Sequence, residues 1–150
     1  MKTALLALFV SFSAMASECY VRTVDLVTTE VTMAKEICIN GLELKLENFG
    51  NSKATVKYTL DGVATEKTVN LSYPVELRNG KVLFFVNGLD SDYEGGMCSD
   101  TVEASINAEL TMNKDGSEAK LSEIKGSVST SYDNCHSDTR EIQAIDFKLI

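Results

Sequence analysis

The chain has no tryptophan, a single proline (Pro74) and a single histidine (His136) among its 150 residues. Each shortage narrows the options. Without tryptophan it lacks a common platform for stacking sugars. One histidine cannot assemble a zinc site if the four cysteines are paired with one another. General-base catalysis through His136 would need a nucleophile and an orienting acid brought from elsewhere, and its neighbours Ser137 and Asp138 are badly placed for it. No apolar run is long enough to cross a bilayer as a helix. Aromatic residues make up only 7% of the chain, too few for the girdles of an outer-membrane barrel. Bases are scarce as well, 14 against 22 acids, for a net charge of −8, which disfavours nucleic acid and anionic lipid. No cofactor motif and no catalytic constellation is found, and the expectation is a protein that is not an enzyme.

The N-terminus reads as an export signal. Met1-Lys2-Thr3 is a short basic start, Ala4 to Phe12 is a compact apolar run, and Ala14-Met15-Ala16 is a small-x-small cleavage site. Cleavage of residues 1–16 leaves one domain, 17–150, with 22 acids and 13 bases. A lipid anchor on Cys19 is not expected, because Glu18 precedes it where a small residue is required. The expected location is periplasmic or secreted, where cysteines pair.

What is present is strand alternation. Leu42, Leu44 and Leu46 alternate with Glu43, Lys45 and Glu47. Ala54, Val56, Tyr58 and Leu60 alternate with lysines and threonines. Val102, Ala104, Ile106, Ala108, Leu110 and Met112 form the longest such run. One apolar and one wet face per strand predicts an all-β fold: an antiparallel meander of eight to ten strands, as an up-and-down barrel or a two-sheet sandwich. Asp61-Gly62, Asn79-Gly80 and Asp115-Gly116 are hairpin signals. They join 53–60 to 63–71, 74–78 to 81–87, and 101–113 to 118–132. A two-residue turn at Asp61-Gly62 sets Lys57 opposite Glu66, Thr55 opposite Thr68 and Ala54 opposite Val69. It also puts Lys67 on the inner face opposite Val56, which suits the inward charge that guards an edge strand; a bulge, or a cation holding a ligand inside a barrel, are the alternatives. Loss of alternation between Leu121 and Ile124 predicts a bulge.

Four cysteines allow three pairings. Strands at 20–28 and 31–39 would place Cys19 across from Cys38, and the hairpin at Asp115-Gly116 would bring Cys98 to Cys135. Two disulfides, Cys19–Cys38 and Cys98–Cys135, are therefore expected.

Three further features are candidates for function. Asp90, Asp92 and Glu94 precede Gly95 at alternate positions, as in loops that wrap calcium, although no flanking helices and no twelfth-position glutamate accompany them; solvated surface acid is the competing reading. Leu83 and Phe85 face away from Val82, Phe84 and Val86, and Ile142 and Ala144 face away from Ile145, Phe147 and Leu149. A strand apolar on both faces is either covered on both or offers a docking patch, including one for a homodimer. Lys67, Leu83 and Phe85 are thus the ligand or partner candidates. The function expected is a binding module for a small apolar ligand or a protein partner, as an exported inhibitor would be; the alternative is an envelope component that assembles through an apolar strand face.

Overall fold

The structure is a computed structural model that describes residues 17–45, 52–71, 74–133 and 138–150. The described residues are all-β, with nine antiparallel strands in one strongly curled, half-barrel sheet. The strands are β1 (Glu18–Arg22), β2 (Glu36–Lys45), β3 (Lys53–Leu60), β4 (Val63–Asn70), β5 (Val75–Glu76), β6 (Lys81–Glu94), β7 (Thr101–Asn113), β8 (Lys120–Asp133) and β9 (Asp138–Leu149). Their order in the sheet is β4-β3-β2-β1-β9-β8-β7-β6-β5. This is the order of a closed up-and-down barrel in which first and last strands pair, cut open between β4 and β5.

Alternation sets the concave face. Every even residue of β7 from Val102 to Met112 is buried, and Ala54, Val56 and Tyr58 of β3 do the same. Asp61 (φ 47°) and Gly62 (φ 83°) form the left-handed pair a two-residue hairpin needs. The register follows as expected: Lys57 faces Glu66, Thr55 faces Thr68 and Val56 faces Lys67. Asp61 has a second task, since its Oδ1 accepts from the backbone N–H of Lys35 (2.9 Å) and Glu36 (2.8 Å) where β2 begins. Glu123 (φ 42°) is the extra residue of the bulge in β8, between Ile124 and Ser122.

Several expectations are corrected. Residues 23–35 do not continue a tight hairpin through Thr28-Thr29-Glu30; β1 ends at Arg22 and β2 starts at Glu36. The intervening segment folds inward instead and buries Val31, Met33 and Ala34. The Asn79-Gly80 turn supports only a two-residue β5, not a strand over 74–78. Conversely β6 runs on to Glu94, so the acidic stretch expected as a loop is mostly strand.

Of the two expected disulfides the structure gives one in full. Cys19 and Cys38 are direct cross-strand partners and are bonded. Cys98 is disulfide-bonded and no described cysteine is free. Its expected partner Cys135 lies outside the described residues, as does His136.

The cut in the barrel is bridged by side chains. A bulge between Val86 and Asp90 of β6 places Gly88 in the left-handed region (φ 68°) and turns Leu89 into the core. The Gly88 carbonyl accepts from Lys67 Nζ of β4, and the Leu89 carbonyl accepts from Tyr58 Oη of β3 at 2.5 Å. Carbonyls beside the bulge thus accept from polar groups of the two facing strands. Burial, with the Asp90 charge adding to it, pushes the Tyr58 phenol above its ordinary value.

Candidate functional site

The two ends of the half-barrel differ. At the end where β1 leaves the sheet, segment 23–35 crosses the opening. Thr32 donates from both N–H (2.7 Å) and Oγ1 (2.9 Å) to Asp92 Oδ2, and Ala34 N–H donates to Asp90 Oδ2 (3.4 Å). On the far side Gln143 Oε1 accepts from Val27 N–H (3.1 Å), while its Nε2 donates to the Asp25 carbonyl (3.0 Å). These bonds hold the Asp92 carboxyl below its ordinary value, the Thr32 backbone N–H first and its hydroxyl second. Beneath them Met33 lies against Gly126 of β8, where a Cβ would come within 2.9 Å of Sδ.

Among the described residues no segment crosses the opposite end in this way. Ile39, Asn40, Gly41 and Leu42 of β2, Glu18 of β1 and the stretch Glu118–Leu121 line a groove of about 470 Å³. Its floor is continuous with the core, since Leu121 is buried and Ile39, Leu42 and Ala119 pack against buried side chains. The shape has a local cause. Register slips by one residue between Ile39 and Gly41, so Asn40 is the extra residue and the inward row shifts from Ile39 to Leu42. Glu18 pairs with Ile39 and shares the inner row with Tyr20, whose hydroxyl donates to Glu18 Oε2 at 3.1 Å. Burial, and then that carboxylate, push the Tyr20 phenol up to about 12. Glu118 Oε2 accepts from Asn113 Nδ2 at 3.1 Å. Lys120 pairs with Thr111, on the convex side of the turn. The groove is an apolar slot with acids at its rim, inside the range of volumes small ligands occupy.

The candidates read from the sequence do not gather there. Asp90, Asp92 and Glu94 do share the inner row of β6, but Asp90 and Asp92 are already engaged with segment 23–35. Among the described residues no group of three or more histidines, cysteines, aspartates or glutamates could hold a metal ion. Lys67 is on the inner face of β4, at one edge of the sheet, with its ammonium on the Gly88 carbonyl. Leu83 and Phe85 are on the convex side of β6, with Phe85 44% exposed. Ile39, Leu42, Ala119 and Leu121 were not singled out. Leu42 and Leu44 carried the signal, an apolar row alternating with Glu43 and Lys45 in the last residues of β2.

No family model, no curated protein and no solved structure matches this chain.

Proposed function

We propose that this protein is an exported, non-enzymatic binding module that holds a small apolar ligand in the groove between β2 and the turn joining β7 to β8. The observation behind the reading is the asymmetry of the half-barrel: one end is plugged by the chain's own Val31 and Met33, while the other leaves apolar side chains facing a slot of about 470 Å³. Exposed apolar surface continuous with a core is favourable to cover. The Cys19–Cys38 bond ties β1 to β2 directly beside the slot, which keeps its wall in place. That bond also suits an oxidising compartment.

A neutral, polarity-sensitive dye tests the reading. Purified protein should brighten the dye at one equivalent, and uncharged linear alcohols should displace it. Ala119→Phe should fill the slot and abolish uptake without lowering the unfolding midpoint. Absence of uptake by folded protein, or uptake indifferent to Ala119→Phe, would overturn it.

A second reading has its own support. Val75 pairs with Leu83 on β5–β6, and Val75 (45% exposed) and Phe85 extend an apolar strip there. An envelope component could assemble through that strip. Light scattering at high concentration would show a dimer or larger, and a strict monomer would remove self-assembly.

A further inference from the structure

Arg22 ends β1 on the concave side, opposite Phe147 of β9. Its side chain is only 8% exposed, and its Nη1 is buried with no hydrogen-bond partner. The nearest counter-charge is Asp25, with Oδ1 3.8 Å from Nη2, beyond hydrogen-bonding reach, on a fully exposed side chain. A guanidinium, unlike a lysine amine, cannot escape burial by shedding its charge, so an orphaned N–H there carries the whole desolvation penalty. Beside it is a pocket of about 220 Å³ lined by Val21, Arg22, Thr23, Val24, Asp25 and Lys35. Two cations share this pocket with one acid, in a chain whose net charge is −8.

We propose that this pocket is a site for a small oxyanion, a carboxylate or a phosphate, that takes the place of Asp25 on Arg22. An oxyanion with two acceptor oxygens matches the planar fork: it would replace Asp25 at Nη2 and reach the closed-in Nη1 only as the Asp25 segment gives way. Lys35 supplies a second, exposed charge at the entrance. The site is separate from the groove at the opposite end of the half-barrel, so its test is independent of the function proposed above.

The experiment titrates purified protein with acetate, phosphate and chloride at matched ionic strength. It follows the Arg22 side-chain N–H signals by NMR and the melting temperature. Acetate or phosphate should saturate both signals while chloride does not, and the stronger of the two identifies the source of the oxyanion. Asp25→Asn removes the competing carboxylate and should tighten binding roughly two- to fivefold; Lys35→Gln should weaken it by a similar factor. Both residues are exposed, so neither variant threatens the fold. A water molecule on Nη1 would give no anion dependence at all. A flat response to acetate and phosphate, an equal response to chloride, or weaker binding in Asp25→Asn would each overturn the proposal.

Discussion

The covered and the open ends of the half-barrel are built from the same alternating strands, and among the described residues two of their links differ in length. At the covered end the link from β1 to β2 is thirteen residues long, residues 23–35, long enough to reach across to β6 and β9. At the open end the link from β7 to β8 is a tight turn at Asp115-Gly116, with Gly116 N–H donating to the Asn113 carbonyl at 2.9 Å. A tight turn finishes its own backbone hydrogen bonds and cannot spare side chains to fill the interior. A long link brings its own apolar residues, but its backbone then needs partners. Here Asp90, Asp92, Asp61 and Gln143 supply them. Filling one end of the fold therefore required polar side chains at inward positions of β6, where alternation alone would put apolar ones.

The contrast can be broken from either side. Met33→Ala should cost about 3 kcal/mol, because Met33 is buried and leaves a cavity at the packed end. Leu42→Ala, in the open groove, should cost about 1 kcal/mol, since its side chain is only partly removed from water. Equal losses in urea unfolding would mean the two ends are equally packed. Removing the Cys19–Cys38 bond with paired serines should cost about 3 kcal/mol for a separation of 19 residues. Dye uptake by the groove should suffer more than the packing around Met33, as read by amide exchange at residues 31–34.

Tyr58→Phe should cost roughly 1–2 kcal/mol by orphaning the Leu89 carbonyl across the cut in the barrel. Gly126→Ala should cost about 1 kcal/mol, because its Cβ meets Met33 Sδ and, at 3.1 Å, Phe147 Cε2. A double variant with Met33→Ala should lose less than the two single losses together; strict additivity would place Met33 elsewhere.

The mildest perturbation is acid. The native Asp92 carboxyl titrates below its ordinary value, so its bonds to Thr32 add stability that is fully present above the unfolded-state value. That stability is lost only as the pH falls through the lower, native one. The amide signal of Thr32 should therefore hold through the ordinary aspartate range and move below it. Asp92→Asn should shift this signal at neutral pH.

Local chemistry was readable where it was self-contained. Asp61-Gly62 dictated a turn type, and the turn dictated the facing of all the pairs from Leu60–Val63 to Ala54–Val69. The alternation of Val102 to Met112 marked β7 from Thr101 to Asn113. The Cys19–Cys38 pairing was right although the hairpin drawn around it was not. Register depends on where two strands sit opposite each other, whereas strand length depends on what else competes for the backbone. Val31 and Met33 alternate as a strand would, yet their inward turn is enforced by residues some sixty positions later, such as Asp92. Asp90 and Asp92 looked like loop for the same reason: acids on an inner row make sense only once the segment they hold is in place. The groove was equally hidden, because it is made by two stretches about eighty residues apart, neither of which is unusual alone.

Pairing of β1 with β9 has a consequence for how the chain could be rewired. Ile150 N–H donates to the Cys19 carbonyl at 3.0 Å, so the C-terminal end lies beside the start of the domain, in the middle of the sheet. Fusing Ile150 to Ser17 through a short linker and opening the chain between β4 and β5 would make the order of strands along the polypeptide identical to their order in space. Such a circular permutant would need only nearest-neighbour hairpins, and its lower contact order should let it fold faster than the natural arrangement.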